Sequence, residues 1–438
     1  MIGSPVVIER LTPARTLLGM SAVVLMALVL APVEPRWSGE PLGYVYLAFG
    51  YGAMLLGFGF WTLLGWSPVA VSYDAGRLKR LIGILLALGL AGFLAKALDM
   101  TVFRPVSFDT IKDARETGTA DSSLASVVAA GLLPCLFGAV LTQLHAWRSG
   151  RLQRISTLAL VIAVVPSLVG ILFGSRSLLL VTGLQLGIAA LLLLPRLGPR
   201  ILATGVAIAV AAPYLFAVVF LKRAEDFGYD PAIMVRYSVF AQTVPASPAY
   251  LDMIDGLGPA KLLFLGLTSI LQYLVHGLFE FLWLVEMKDD GFAWGARMFF
   301  FVPKFAAMVN GDSTLVVSSL IAMSDPRPGV YKTLFGTLYI DFGPFLPVAG
   351  FVIGAFVGRV RIAVISGNPL AFPLYVLLLA QVALVPIVDG ISLGASIFAN
   401  LAFTIVWLGG SLACGIRPAI APSARNHAFG GDGGLPAE

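Results

Sequence analysis

The sequence predicts an all-α, polytopic membrane protein with about ten transmembrane helices, and three observations lead to this fold class. Of the 438 residues, 58% are hydrophobic and only 12% are charged, with a mean hydropathy of +0.91. Water-soluble domains carry about a quarter charged residues, so this composition excludes a soluble globular protein. The apolar residues also form runs long enough to cross a hydrocarbon core of about 30 Å, and Lys and Arg collect in short loops between them.

The predicted spans fall into two groups. The first group precedes a long polar stretch and the second follows it. A further run, 262–285, lies between the groups and is also apolar enough to span. In chain order the predicted spans are 17–33, 42–66, 81–98, 124–147, 155–173, 178–194, 201–221, 334–357, 370–388 and 391–414.

The distribution of basic residues favours ten spans over eleven. Short cytoplasmic loops are rich in Lys and Arg, and with ten spans the basic loops share one side with both termini. With eleven spans Arg359 and Arg361 would move to the other side. We therefore predict that both termini are cytoplasmic and that 262–285 lies along the outer leaflet or dips into it. The inner basic residues are then Arg10, Arg15, Arg77, Lys79, Arg80, Arg148, Arg151, Arg154, Arg196, Arg200, Arg359, Arg361, Arg417 and Arg425.

This topology leaves one large extracytoplasmic loop, at about 222–332. Loops of about 110 residues are uncommon in compact proteins unless they carry function. We predict a single transmembrane domain at 1–416, followed by a Gly-rich and disordered cytoplasmic tail at 417–438. No small-residue cleavage site follows the first apolar run, so that run is expected to be an uncleaved helix.

A Gly174-Ser175-Arg176 break separates the predicted spans 155–173 and 178–194. The gap is too short for a folded loop, so the two spans form a helical hairpin with Arg176 at its extracytoplasmic tip. One interpretation is an arginine that snorkels to the interface and only marks a helix end. The other is a binding site for phosphate, because a guanidinium binds phosphate oxygens in a bidentate geometry.

Segment 262–285 carries a line of polar residues. Gln272, His276 and Glu280 are spaced four residues apart and share one face of a helix, with Tyr273 beside them. Burial of three polar groups without partners is costly. They are either the polar edge of an amphipathic helix at the headgroups, or the wall of a cavity in which Glu280 is an acid or base and His276 orients a sugar or phosphate.

A carboxylate, Asp341, lies inside the apolar run of the next predicted span, where it should face protein or water rather than lipid. It is followed by Gly343-Pro344, so it is either a helix cap or part of a functional pocket. Lys332 lies two to three turns earlier and Tyr339 two residues earlier, and we expect both to help line such a pocket.

The order of these features resembles a known family. A Gly-Ser-Arg tip on a mid-chain hairpin, a large outer loop and a Tyr-x-Asp-Phe-Gly sequence at 339–343 are similar to the Wzy-type oligosaccharide repeat-unit polymerases of bacterial envelopes, which build O-antigen and capsule. The resemblance covers about residues 155–358, and 1–154 matches only in topology.

The resemblance implies a glycosyltransferase in the bacterial inner membrane. Its substrates would be undecaprenyl-diphosphate-linked oligosaccharides, polymerised on the extracytoplasmic face. The expected catalytic residues are Arg176, Glu280 and Asp341. The expected substrate-binding residues are Arg176, Gln272, Tyr273, His276, Lys332, Tyr339 and the outer arginines Arg223, Arg236, Arg297 and Arg327, although each outer arginine could also belong to a solvated surface.

Membrane lipid and a chain-length regulator protein are the other expected partners. Nothing in the modest net charge of +5 points to nucleic acid. We expect no cofactor and no metal, because Asp289-Asp290 is the single candidate acidic pair and the three histidines are scattered. The two cysteines indicate neither a disulfide framework nor a metal site.

Two other functions stay open. An O-antigen ligase would use the same lipid-linked donor but transfer the glycan to a lipid acceptor. A transporter or flippase would carry the same lipid, but such proteins usually show internal repeats, and none is visible in the sequence.

Overall fold

A computed structural model of the chain confirms a mainly helical protein with long apolar helices. The regions that it leaves undescribed include most of 154–175 and of 194–229. The structure describes residues 11–36, 39–103, 124–153, 176–193, 230–237, 239–288, 291–310, 325–327, 330–392 and 395–418, together with isolated positions between 161 and 221.

The helices are numbered here along the described part of the chain. A two-residue antiparallel ribbon pairs β1 (Val71–Ser72) with β2 (Arg417–Pro418), and the π-helix Asp99–Phe103 extends α3. Short 3₁₀ turns occur at Val239–Gln242, Gly258–Ala260 and Gly343–Phe345. The helices are α1 (Pro13–Leu30), α2 (Pro41–Leu63), α3 (Ala75–Leu98), α4 (Leu124–Arg148), α5 (Arg176–Leu193), α6 (Pro231–Tyr237), α7 (Pro248–Asp255), α8 (Lys261–Met287), α9 (Phe301–Asn310), α10 (Leu334–Phe342), α11 (Leu346–Ile365), α12 (Phe372–Leu384) and α13 (Ala395–Ala413).

Within the described residues, seven helical stretches are long and apolar enough to cross a membrane. They correspond to α1, α2, α3, α4, α8, the α10–α11 pair and α13. The predicted spans 178–194 and 370–388 contain the shorter apolar helices Val181–Leu193 and Phe372–Leu384. The predicted spans 155–173 and 201–221 lie almost entirely outside the described residues, and so does the predicted tail beyond Pro418.

Helices α2 and α11 run in parallel and form the closest helix pair described. Glycines line both sides of their contact, which lets the two backbones approach closely. A Cβ atom at Gly57 would lie 2.4 Å from the carbonyl oxygen of Phe351, and one at Gly354 would lie 2.3 Å from that of Met54. The indole of Trp61 donates a hydrogen bond of 2.7 Å to the carbonyl of Ala355.

Two further contacts complete the helical core. Helices α3 and α4 pack in antiparallel directions, with Gly89 against Leu136 and Gly92 against Leu133. All 13 residues of helix α12 are buried. A helix that is buried on every side has no polar face, so its sequence is an apolar run.

The basic loops of the chain meet at one end of the helices. The amide of Val71 donates to the carbonyl of Ser366, and the guanidinium of Arg151 lies 3.4 Å from the carbonyl of Val71 and over the ring of Tyr73. With the β1–β2 ribbon these contacts join loops that are far apart in sequence. We call this the basic end. The arrangement agrees with the single side that the charge distribution predicts for these loops.

Helix α8 lies at the opposite end, where α1 finishes and α2 starts. Near its first half, Ala246 forms a β-bridge with Val33, just after α1. In its second half, Leu282 packs against Gly39 and Gly43 at the start of α2. Both halves of α8 are therefore close to the same end of the bundle. We call it the cluster end, after the cluster of charged side chains around Asp325 that lies there.

The predicted span 334–357 is interrupted. The rings of Phe335 and Tyr51 are 4.7 Å apart and those of Tyr339 and Tyr46 are 5.5 Å apart, so α10 runs against α2. The chain bends at Gly343, whose φ of +51° is left-handed, and α11 then runs along α2 in parallel. The predicted span 334–357 therefore consists of two helices, because the backbone at Gly343 does not continue α10.

The α2–α11 contact gives a paired stability prediction. We expect Gly57→Ala to lower the stability of the folded protein by about 1–3 kcal/mol, because the added methyl group meets the α11 backbone. Gly59→Ala is the matched control, since a Cβ there would have nothing within 4 Å. Thermal unfolding of the purified protein, followed by size-exclusion chromatography, measures both. Equal melting temperatures for the two variants would contradict the close approach.

Candidate functional site

The buried carboxylate of Asp325 organises a cluster of charged side chains at the cluster end. Its two carboxylate oxygens lie 2.8 and 3.1 Å from Nζ of Lys332, and one of them accepts a hydrogen bond from the guanidinium of Arg297. The carboxylate also accepts one of 3.0 Å from the amide of Arg327. Charge-assisted bonds of this kind are needed to hold a carboxylate away from water.

Lys332 holds the backbone of this segment in place. Its ammonium group binds Asp325 and also donates to the carbonyls of Arg327, at 2.8 Å, and Val330, at 3.3 Å. All three of its N–H bonds are therefore used. Burial lowers the pKa of Lys332 below its ordinary value, and the Asp325 carboxylate opposes that shift. We assign Lys332 a positioning role rather than direct contact with a substrate.

Arg327 connects this segment to α8. Its guanidinium donates a hydrogen bond of 2.7 Å to Oε2 of Glu280 and a second to the side chain of Gln242. It also lies over the indole of Trp283, 4.7 Å from the ring centroid. The side chain of Arg327 is 13% exposed, so Arg327 rather than Glu280 reaches the surface in this ion pair.

Two side chains on α8 have hydrogen-bonding capacity left. Oε1 of Glu280 and both ring nitrogens of His276 are buried and have no hydrogen-bond partner among the residues that the structure describes. His276 lies one turn before Glu280 and packs against the ring of Phe240 at 4.7 Å. Such groups cost free energy in a folded protein and often mark functional positions.

The neighbouring residues of this face have structural partners. Gln272 donates a hydrogen bond of 3.0 Å to the carbonyl of Val244. The ring of Tyr273 packs edge-on against Phe240 and Tyr331. The four-residue spacing does place Gln272, His276 and Glu280 on one face of α8. Gln272 and Tyr273, however, contact the outer segments and hold them against α8.

Asp341 caps a distant segment of the chain rather than its own helix. Its two carboxylate oxygens accept hydrogen bonds from the amides of Arg297, at 3.0 Å, and Met298, at 2.8 Å. The cap of α10 itself is Thr333, whose hydroxyl accepts from the amide of Gly336. With both oxygens bonded, Asp341 is a weaker candidate for a base than Glu280.

Arg176 is the first residue of α5, and its side chain is outside the described part of the structure. The last residue of α5, Leu193, accepts a hydrogen bond from Arg148 at the basic end. Near the start of the helix, Val181 packs in one apolar cluster with Tyr273. The backbone of Arg176 therefore begins its helix on the side of the molecule where Glu280 and Arg327 lie.

The other predicted residues are placed as follows. Arg236 is exposed and pairs with Asp252 and Asp255 on the surface. Tyr339 is buried among aromatic rings, including that of Tyr46, and helps to hold α10 against α2. Arg297, described above, is bonded to Asp325. Arg223 and the Asp289-Asp290 pair lie outside the described residues.

Sequence reasoning missed three residues of the cluster: Asp325, Gln242 and Asp389. Asp389 caps the amides of Ile391 and Ser392, and its own amide donates a hydrogen bond of 2.7 Å to the carbonyl of Lys332. A signal was available for Asp325, which is the acidic residue nearest to both Arg327 and Lys332 in the sequence. Gln242 has no such signal, because its contact depends on tertiary folding.

An apolar cavity of about 230 Å³ lies between α1, α2, α8 and the start of α10. Helices α1 and α2 form one wall through Leu25, Leu47 and Tyr51, while Leu278 and Thr333 form the other. Leu278 is two residues from both His276 and Glu280 on α8, so the cavity and the polar face lie on opposite sides of this helix. The cavity is suited to a hydrocarbon chain.

Comparisons with known proteins give no further identification. No protein-family model, no curated protein and no solved structure matches the chain. Among the residues that the structure describes, no three His, Cys, Asp or Glu side chains are grouped so that they could hold a metal ion. The resemblance to the repeat-unit polymerases therefore stays a prediction.

Replacement of the buried Asp341 and of the surface residue Asp252 should differ in the effect on protein stability. We expect Asp341→Asn to destabilise the protein by about 1–3 kcal/mol, because an amide NH₂ would face a buried backbone N–H and leave it unsatisfied. Asp252→Asn, at an exposed surface pair, is the control. Expression level and thermal unfolding of the two variants provide the measurement. A fully stable Asp341→Asn protein would show that the cap is dispensable.

Proposed function

We propose that the protein transfers glycosyl groups from a lipid-diphosphate-linked oligosaccharide and polymerises such units on the extracytoplasmic face of the bacterial inner membrane. The observation that carries the proposal is the Glu280–Arg327 pair: a buried carboxylate with one unpartnered oxygen, bonded to an arginine that reaches the surface. A base and an anion-binding group side by side suit a reaction in which a hydroxyl attacks and a diphosphate leaves.

The reaction has one bond forming and one bond breaking. A hydroxyl of one lipid-linked unit attacks the anomeric carbon of a second chain, and the bond from that carbon to the diphosphate oxygen breaks. Glu280 accepts the hydroxyl proton through its free oxygen, while His276, one turn away on α8, orients the sugar. Undecaprenyl diphosphate leaves with the bonding electrons, and arginines stabilise its growing negative charge.

The ion pair also suggests how the base becomes active. A carboxylate bonded to a guanidinium is a weak base, because the positive charge favours its ionised form. A diphosphate that takes over the guanidinium of Arg327 would release Glu280 from this pairing and make it a stronger base. Binding of the donor and activation of the acceptor would then be coupled through Arg327.

Arg176 is our candidate for the second diphosphate contact. It begins α5 on the same side as the Glu280–Arg327 pair, where the N-terminus of a helix also favours negative charge. Arg297 is held by Asp325 and is a further cation within the cluster. Three arginines in this region would replace the metal ion that other diphosphate-dependent transferases use.

The apolar cavity and the two ends of the molecule fit the same proposal. The cavity between α1, α2 and α8 lies on the side of α8 opposite the polar face, and it would accept the first part of a prenyl chain there. We place the basic end in the cytoplasm by the positive-inside rule, so the cluster end faces outward. Helix α8, which contacts the cluster end with both halves, then lies near the outer headgroups.

Glu280→Gln tests the base. We expect it to lower turnover by about 10²-fold or more with little change in protein level, because glutamine keeps the size of the side chain but cannot take the proton. Glu286→Gln, at an exposed position on the same helix, is the matched control. The measurement is the ladder of surface glycan chain lengths in a strain that lacks the native gene. A normal ladder from Glu280→Gln would remove the base from the mechanism.

The same assay separates the alternatives. Loss of a polymerase leaves single repeat units attached to the surface acceptor, whereas loss of a ligase leaves undecaprenyl-linked polymer unattached. Loss of a flippase leaves the lipid-linked unit on the inner face. Each product is distinguishable by electrophoresis and by lipid extraction.

Arg176→Lys tests the diphosphate clamp. Lysine keeps the charge but lacks the planar fork, so we expect a loss of about 2 kcal/mol in transition-state stabilisation, or about 30-fold in rate. Arg176→Ala should abolish the polymer while the protein still inserts. Arg36→Lys, at an exposed outer position, is the control. Full glycan ladders from both Arg176 variants would show that this arginine is only a helix-end anchor.

A further inference from the structure

The turn before α9 holds a tryptophan in an unfavourable backbone conformation. Trp294 has a φ of +49° and is the only non-glycine residue with a positive φ among those that the structure describes. Bulky side chains rarely adopt this conformation, because the Cβ atom approaches the backbone. The side chain is nevertheless 71% exposed, so burial of the indole does not compensate for the strain.

Several contacts keep this conformation fixed. The amide of Trp294 donates a hydrogen bond of 2.9 Å to the carbonyl of Asp341, and that of Ala293 donates one of 3.1 Å to Ile340. The carboxylate of Asp341 caps the next turn at Arg297 and Met298. Strain that is maintained by so many neighbouring bonds points to a functional use of the residue.

Trp294 lies in the turn that leads to a residue of the cluster. Arg297, three residues further on, bonds to Asp325, which organises the segment of Arg327. The ring of Phe292 packs edge-on to the indole at 6.3 Å and supports it. An exposed aromatic ring is therefore supported on one side by Phe292, in the turn that leads to Arg297.

We infer that Trp294 is a stacking platform for a pyranose ring of the substrate glycan. This inference rests on the proposed function and assigns a saccharide-binding subsite to the same site. One face of a pyranose ring carries mainly C–H groups and packs flat against an aromatic ring, while its hydroxyl groups stay in water. A rigid indole is favourable for such binding, because no conformational freedom has to be lost.

An interfacial membrane anchor is the competing interpretation of an exposed tryptophan. Anchors need only an amphipathic ring at headgroup depth, and they do not require a strained backbone. Exposed side chains of the described long apolar helices, such as Phe49 on α2 and Val352 on α11, have ordinary helical backbones. The strain at Trp294 therefore favours recognition of a ligand over anchoring.

The test uses the full chain in lipid nanodiscs. The probe is the lipid-free oligosaccharide fraction released by mild acid from the surface polysaccharide of the bacterium that carries the gene. We compare Trp294→Gly, Trp294→Phe and the control Tyr237→Ala, which removes another highly exposed aromatic ring. We expect Trp294→Gly to weaken glycan binding about tenfold, Trp294→Phe to weaken it less, and Tyr237→Ala to leave it unchanged.

Thermal unfolding separates recognition from structure. Glycine adopts a positive φ without strain, so Trp294→Gly should melt at the same temperature as the wild type or higher, even though it binds glycan less well. Binding by Trp294→Gly equal to that of the wild type would overturn the inference. So would quenching of Trp294 fluorescence by lipids with brominated acyl chains, which would place the indole in the membrane.

The glycan ladder separates this inference from the proposed function. If Glu280→Gln abolishes the ladder while Trp294→Gly leaves both the ladder and glycan binding intact, the platform is wrong and the transferase stands. If the wild-type protein binds no glycan and Glu280→Gln leaves the ladder unchanged, the proposed function itself fails, and the platform fails with it.

Discussion

The geometry of the cluster end depends on the buried carboxylate of Asp325. A charge without access to water is tolerated only when it is paired and hydrogen-bonded, and Asp325 meets this requirement through Lys332, Arg297 and the amide of Arg327. These bonds tie together the start of the α9 region, the segment before α10 and the loop between them. The position of Arg327 against Glu280 follows from this arrangement, so the candidate base is located by an acid that does not take part in the chemistry.

Hydrogen-bond saturation divides the polar residues of the site into two groups. Lys332, Asp341 and Gln272 bond to backbone groups of other segments and hold them in place, and Lys332 also bonds to the carboxylate of Asp325. Glu280 and His276 retain atoms without partners in the described structure. Since an unsatisfied buried group costs free energy, its persistence is easier to explain where a ligand completes the bonding. The oxygen without a partner, rather than the residue type, favours Glu280 over Asp341 as the candidate base.

The two ends of the bundle differ in construction. At the basic end a short ribbon and Arg151 join loops that are far apart in sequence. At the cluster end the chain adds α8, the bend at Gly343 and several outer segments, with polar groups on one side of α8 and an apolar cavity on the other. A site that acts on a lipid-linked sugar needs such a combination, because its substrate has a hydrocarbon part and a strongly hydrated part.

The sequence by itself determined the membrane class, most helices and the common face of Gln272, His276 and Glu280, because hydropathy and helical periodicity are local properties. The side shared by the basic loops was also predictable from their composition. Only the tertiary structure decided that Asp341 caps a distant turn, that Asp325 organises the charges and that the helix from Leu334 bends at Gly343. These features depend on contacts between segments far apart in sequence. A local sequence pattern does not show which buried polar groups have hydrogen-bond partners.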